Sequence, residues 1–358
     1  MGTTKTPVLW TTGAPGAGKS TTAWGLYTRV LESGGNVAYV DIDQLGLIGP
    51  PPGGGDASHA IKAANLLRVL EILRSRGARQ LVVSGVVDPE NGVERSFEGS
   101  DFVLTLVRLT CDRDELRSRF LERGSPLEAL PDLFAVADAY DRTGFGEEMD
   151  TTGQRPDETV EALFQRCFVA AGPVRRPDRP VEPQPGPVTV VTGPTAVGKS
   201  TAAWSVLRDF WQRETPVAYV DLAQFGFVHP GPDPAAEAAI LAAVWRGYRE
   251  AGARQLLVVA REFGPEHRQV FEEVTVVHLD ADAATLTERV RRRAEGESAL
   301  LAGDELRGAP PGVRDRVAAR AVTEAARMRQ ARTDRVVLDT SGQKPDETAA
   351  ALLAVMAQ

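Results

Sequence analysis

The chain has 358 residues, 42% of them hydrophobic and 25% charged, with a formal net charge of −8. The length suits two ordinary domains, and the acidic balance argues against non-specific binding to nucleic acid or to an anionic membrane. Two cysteines, Cys111 and Cys167, exclude a disulfide framework and point to a reducing compartment, the cytoplasm; no apolar run is long enough to span a bilayer, and Met1–Pro7 lacks the apolar core of a secretory signal.

From the N-terminus, Val8–Thr12 is predicted to be a short buried strand, and Ser20–Leu31 carries helical spacing. Asn36–Val40 is the second strand. Ile61–Arg76 is an amphipathic helix that stops before Gly77, as a helix with a glycine C-cap does. Leu81–Val87 is a continuous apolar strand, the pattern of a sheet covered on both faces. Phe102–Leu109 is a further strand and Arg113–Arg123 a further helix. Strands alternating with helices imply a parallel sheet flanked by helices, an α/β fold.

The order then repeats. Gly13-Ala-Pro-Gly-Ala-Gly-Lys-Ser20 recurs as Gly193-Pro-Thr-Ala-Val-Gly-Lys-Ser200, an offset of 193 − 13 = 180. Val37-Ala-Tyr-Val-Asp41 recurs at the same offset as Val217-Ala-Tyr-Val-Asp221. Gly77-Ala-Arg-Gln-Leu matches Gly252-Ala-Arg-Gln-Leu, and Asp150-Thr-Thr-Gly-Gln matches Asp339-Thr-Ser-Gly-Gln. Matched blocks in one order read as a tandem duplication of a whole domain. The stretch from Pro173 to Pro187 is too rich in proline for a helix or a central strand. It is read as a semi-rigid linker (173–187) between a first domain (1–172) and a second (188–358).

Both glycine-rich blocks fit G-x-x-x-x-G-K-[ST] between a strand and a helix, the context that the phosphate-binding loop requires. The backbone of Gly13, Ala14, Pro15, Gly16, Ala17 and Gly18 and that of Gly193, Pro194, Thr195, Ala196, Val197 and Gly198 would wrap the phosphates. Lys19 and Lys199 would reach the β- and γ-phosphates. Ser20 and Ser200 would ligate Mg²⁺, with Thr21 and Thr201 one step further into the helix. The fold expected is two tandem P-loop NTPase domains of nucleoside-kinase-like build. The nucleotide expected is ATP.

The loops alone do not select a reaction; the surrounding residues do. Each half resembles the small P-loop kinases of the gluconate, shikimate and adenylylsulfate kinase type and the bacterial AAA-family ATP-binding proteins related to them. The second strand ends in Asp41-Ile-Asp43. The resemblance implies that Asp41 holds Mg²⁺ and that Asp43 takes the proton of the attacking hydroxyl. An aspartate there also suits the cap of the following turn. The second half keeps Asp221 as metal residue but has Ala223 in place of the second carboxylate. Arg119 and Arg123 share one helix face, as do Arg289 and Arg293. By resemblance they are lid arginines over ATP; by spacing alone they also fit a solvated charged face. The Asp150-Thr-Thr-Gly and Asp339-Thr-Ser-Gly loops are adenine neighbours by resemblance and helix caps by pattern. Asp88 and Glu262, after the apolar strands, either approach the metal or begin the next loop.

The segment after the second strand should form the acceptor pocket, with Lys62, Asn65 and Arg68 at helical spacing able to meet a polar or anionic small molecule. In the second half Ile240 stands where Asn65 stands in the first. The expectation is an ATP- and Mg²⁺-dependent kinase of a small hydroxylated metabolite, catalysed by Lys19, Asp41, Asp43, Arg119 and Arg123, with the second half degenerate in catalysis. The rival is a regulatory nucleotide-binding protein with no small-molecule acceptor. A nucleic-acid end kinase is disfavoured by the acidic charge. Nothing in the sequence settles the oligomeric state.

Overall fold

The computed structural model describes residues 5–50, 55–167, 181–225, 227–228, 233–296, 306, 308–331 and 335–357. The chain divides into two compact units. Unit 1 holds 1–46, 53–179 and 226–236; unit 2 holds 47–52, 180–225 and 237–358.

In chain order the elements are β1 (Thr6–Thr12), α1 (Lys19–Glu32), β2 (Val37–Asp41), β3 (Ile48–Gly49), α2 (Gly55–Ser75), β4 (Gln80–Ser84), α3 (Glu94–Phe97), β5 (Phe102–Thr110), α4 (Arg113–Glu122), α5 (Leu130–Thr143), β6 (Glu147–Asp150) and α6 (Pro156–Phe164). There follow β7 (Gln184–Thr192), α7 (Lys199–Gln212), β8 (Val217–Asp221), α8 (Pro234–Glu250), β9 (Gln255–Val259), α9 (Pro265–Arg268), β10 (Phe271–Asp280), α10 (Ala283–Ala294), α11 (Pro311–Gln330), β11 (Val336–Asp339) and α12 (Pro345–Met356). No helix among the described residues is long and apolar enough to cross a membrane.

Unit 1 carries a five-stranded sheet in the order β2-β4-β1-β5-β6, and each neighbouring pair is parallel. Unit 2 carries β8-β9-β7-β10-β11, also parallel, in the corresponding order. The central strands are apolar along their length because both faces are covered. Val8, Leu9, Trp10, Leu81, Val82 and Val83 in unit 1, and Val190, Val191, Leu257 and Val258 in unit 2, are almost wholly buried.

Three sequence expectations shift. The strand expected to run to Val87 stops at Ser84, because Gly85 turns out of it at φ +126. A Cβ on Gly85 would lie 2.4 Å from Cγ2 of Ile42, so the turn needs glycine for space as well as for conformation. The second correction concerns the linker. Residues 173–180 lie outside the described residues, but Gln184–Pro187, expected to be linker, opens β7. Prolines are tolerated there because β9 joins β7 only from Val188 onward, so the missing N–H groups face no ladder on that side.

The third concerns the domain division, which is not a single cut. Inside unit 2, Ile48 pairs antiparallel with Ala218, and the Tyr219 N–H donates to the Leu47 carbonyl at 2.8 Å. Inside unit 1, Val228 bridges Ala38, and the Tyr39 N–H donates to the Phe227 carbonyl at 2.9 Å. The two segments match at the offset of the phosphate loops, since 227 − 47 = 180. Each finishes the edge strand of its sheet. In unit 1 the segment lies over an aromatic floor: Phe227 meets Trp24, Tyr27 and Tyr39 with ring centroids 4.9, 6.4 and 5.7 Å away.

Candidate active site

In unit 1 the phosphate loop leaves β1 and enters α1 through Gly18, whose left-handed φ of 93 places the N-terminus of α1 at the loop. Gly13 is required by close approach: a Cβ there would stand 2.4 Å from the Leu109 carbonyl oxygen, and at Gly193 the same distance separates it from the Leu279 oxygen. The loop therefore lies against the end of the central strands, and the helix dipole points at it.

Lys19 is buried, and its Nζ donates to the Ala14 carbonyl at 2.9 Å. Burial pushes its ammonium down to about 8, opposed by the charges of Asp43 and Asp41 and reinforced by those of Arg123 and Lys62. Lys19, Asp41, Asp43, Arg123 and Lys62 thus form one electrostatic cluster. Asp41 closes β2 and accepts the N–H of Asp43 at 2.9 Å, so it does cap the following turn. Burial, then the neighbouring Asp43, raises its carboxyl to about 6. Lys62 reaches from α2 to Oδ1 of Asp43 at 2.7 Å. Ser20 and Thr21 are exposed in the first turn of α1. Beside the loop a cavity is lined by Gly13, Ala14, Leu109, Cys111, Tyr140 and Asp141.

Several expected roles change. Asn65 is fully buried and holds the Leu45 carbonyl at 2.9 Å, so it shapes the turn after Asp43 instead of facing an acceptor. Arg68 in turn donates to Asn65 Oδ1 at 3.2 Å. Arg119 donates to Thr151 Oγ1 and to the Thr151 carbonyl, both at 3.0 Å, and pairs with Glu115, whose other oxygen accepts the Gly153 N–H at 2.8 Å. It is therefore a clamp on the loop between β6 and α6, while Arg123, one turn on, is the arginine whose charge reaches Lys19. Asp150 accepts the N–H and hydroxyl of Thr152 at 2.9 and 2.6 Å, and Arg155 caps α6. Asp88 accepts the N–H groups of Glu90 and Asn91 at 2.9 and 3.1 Å, so it begins the next loop.

In unit 2, Lys199 Nζ donates to the Gly193 and Pro194 carbonyls at 2.9 and 2.8 Å. Burial lowers it to about 8, against the charge of Asp221. Ser200 Oγ donates to Asp221 Oδ2 at 3.2 Å. Burial raises the Asp221 carboxyl. Asp221 caps its turn through the Ala223 N–H at 3.1 Å, and Ala223 leaves no second carboxylate there. Arg289 is the counterpart of Arg119: it donates to Thr340 Oγ1 and to the Thr340 carbonyl, both at 2.9 Å, and also to the Val197 carbonyl of the phosphate loop at 2.6 Å. Arg293 acts on Lys199 and Asp221 by charge. Glu262 pairs with Arg327 of α11.

Two contacts are not legible in the sequence: Lys62 on Asp43, and Glu324 of α11 on the second phosphate loop. Helical spacing marks Lys62 as an acceptor ligand, and only the packing of α2 turns it to Asp43. Glu324 carries no local signal.

Fold and loops define a P-loop α/β protein of the nucleotide-binding class. Residues 10–130 match the family described as an AAA domain. No curated protein sequence matches the chain. Among solved structures, a sugar kinase from Janibacter sp. HTCC2649 is similar at 15% identity over 45% of this chain and 93% of its own, with a TM-score of 0.34. The tunicamycin resistance protein of Deinococcus radiodurans is similar at 18% identity over 47% of this chain and 100% of its own, TM-score 0.39. The APS kinase of Mycobacterium tuberculosis, solved with AMPPNP and APS, is similar at 18% identity over 45% of this chain and 96% of its own, TM-score 0.35.

Proposed function

We propose that unit 1 is an ATP-dependent phosphotransferase acting on a hydroxyl of a small metabolite. The observation that carries this reading is the carboxylate pair Asp41–Asp43 set in one electrostatic cluster with Lys19 of the phosphate loop, Arg123 and Lys62. A motif that only bound phosphates would need no second carboxylate.

Lys19 and the loop backbone hold the terminal phosphates, and Arg123 adds positive charge where the transferred group passes. Asp43, half-exposed and held by Lys62, accepts the proton of the acceptor hydroxyl and orients its oxygen for in-line attack. Arg119 keeps the 150–153 loop in shape beside the nucleotide. Ser20 and Asp41 would hold Mg²⁺. The donor set fits: all oxygen, with a carboxyl that burial and a neighbouring carboxylate have made costly to ionise alone. Mg²⁺ keeps most of its water and takes few protein ligands, so two oxygen donors beside the phosphates suffice. When bound, Mg²⁺ neutralises charge on the phosphate oxygens.

The repeat of loop, strand order and Asp-Thr-[Thr/Ser]-Gly segment supports a tandem duplication in which unit 2 binds nucleotide through Lys199, Ser200 and Asp221. Its phosphoryl transfer would be weak or absent, because Ala223 removes the proton acceptor. The test is a screen of hydroxylated metabolites with Mg²⁺ and ATP, read by mass as addition of one phosphoryl group. Phosphorylation of none, with ATP hydrolysed at the same rate with and without metabolites, would defeat the kinase reading and leave a nucleotide-binding regulator.

A further inference from the structure

The second phosphate loop already holds an anion, and the anion belongs to the protein. Glu324, on α11, accepts the backbone N–H of Thr195 and the Thr195 hydroxyl on one carboxylate oxygen, each at 2.9 Å. Its other oxygen lies 3.8 Å from the Arg261 guanidinium, and only 11% of its side chain is exposed. Lys199 feels the charges of Arg261, Glu324 and Arg293 together, so the carboxylate sits among the cations gathered at the loop. Burial works to raise the Glu324 carboxyl, but the bonds from Thr195 and the nearby charges of Arg261 and Arg320 outweigh it and hold it below the usual carboxylate range, hence ionised at neutral pH.

A second contact fastens the same helix. Ala196, inside the loop, packs against the apolar cluster of Val290, Leu306, Val317 and Ala318, the last two from α11. Ala196 stands at φ 62, where the first loop has Gly16 at φ 94. A left-handed alanine is a strained conformation, and its contact with the cluster ties the loop to α11. The first loop cannot make the Thr195 contact: its equivalent residue, 195 − 180 = 15, is Pro15, which has neither N–H nor hydroxyl.

We propose that α11 is an autoinhibitory latch on the second phosphate loop, with Glu324 standing in for a nucleotide phosphate and having to leave before the nucleotide is bound. The proposal rests on the reading of that loop as a nucleotide site. The physical reason is exclusion. The N–H groups of such a loop serve phosphate oxygens, and a carboxylate on one of them repels an incoming polyphosphate at close range. Nucleotide therefore binds only the fraction of molecules in which α11 has lifted Glu324 away, and its apparent affinity is reduced by that fraction. An amide in place of the carboxylate keeps the size of the side chain but gives up the charge, its attraction to Arg261 and its repulsion of phosphate.

The test uses the full chain with the first loop silenced by Lys19→Ala, titrated calorimetrically with Mg²⁺-AMPPNP. Adding Glu324→Gln should tighten binding at the second loop roughly ten-fold, the scale of losing charged hydrogen bonds in the closed state. Glu324→Ala should tighten it at least as much, and a near-unchanged thermal melt would show that both variants are folded. Adding Lys199→Ala should abolish the site. Equal affinity with and without Glu324→Gln, at a site that Lys199→Ala removes, would overturn the latch and leave the loop a nucleotide site. Absence of binding both with and without Glu324→Gln would overturn the latch and the reading of the loop together.

Discussion

The two phosphate loops share a motif and a strand–loop–helix setting, yet they face different neighbours. Around the first stand two carboxylates, a lysine that holds one of them, and Arg123. Around the other stand a single carboxylate from β8, an alanine, and a glutamate of its own chain on the loop amide. A loop of this kind is set by glycines and a helix start, so it survives while its surroundings change. What it does with a bound phosphate depends on the side chains brought to it by β2, α2 and α4 in one unit and by β8, α10 and α11 in the other. A further difference lies at one register position. Arg108 faces Thr12 across unit 1 and His278 faces Thr192 across unit 2. Buried Arg108 is neutralised by Asp141 at 2.9 Å and Glu148 at 2.5 Å. His278 is buried, with Thr192 Oγ1 3.2 Å from its Nδ1.

The largest effect should come from the residue that separates the units most. Asp43→Asn should lower turnover by about 10² to 10⁴ while calorimetry shows nucleotide affinity changed only a few-fold. Near-wild-type turnover in this variant would move catalysis elsewhere. Next is the share of acid sensitivity that His278 contributes. Burial and the nearby Arg335 lower its imidazole to about 4 from an ordinary 6.5. The folded state then holds fewer protons than the unfolded one between those values. The associated stability is complete above pH 6.5 and lost as pH falls toward 4, by about 3 kcal/mol at most. Melting curves from pH 7 to 4 should be flatter for His278→Gln than for the wild type.

Of intermediate size is Phe227→Ala, which removes an aromatic face from Trp24, Tyr27 and Tyr39 and should destabilise unit 1 by roughly 2 kcal/mol in denaturant titration. A fragment ending at residue 172 lacks this segment and should be less stable than the same unit in the full chain. Lys62→Met should lower turnover roughly ten-fold by leaving Asp43 without its partner, with Lys62→Arg recovering part of it. An unchanged turnover would make that ion pair incidental. The smallest effect belongs to Lys199→Ala, which should leave metabolite phosphorylation within about two-fold of wild type, because the second unit has Ala223 where the proton acceptor would stand. A dead Lys199→Ala enzyme would reverse the assignment of the two units.

The sequence by itself determined the parts whose causes are local. Glycines at fixed spacing with a lysine and a serine make a phosphate loop wherever a strand precedes and a helix follows, and apolar runs such as Leu81–Val83 announce a strand covered on both faces. The 180-residue offset likewise needs no coordinates. Tertiary structure decided what each polar side chain meets. Helical spacing puts Arg119 and Arg123 on one face, but only the packing of α4 sends Arg119 to Thr151 while Arg123 acts on Lys19. Periodicity marks Lys62 and Asn65 as neighbours on α2, but only the turn at 42–45 gives one to Asp43 and buries the other under Leu45. The short pieces at 47–49 and 227–228 look like loops because one or two paired residues have no period to read, and the sheet edge that accepts each is set by long-range contact. Glu324 is the extreme case: 129 residues separate it from Thr195, and a glutamate on a helix carries the same local signature whether it points to water or to a backbone amide.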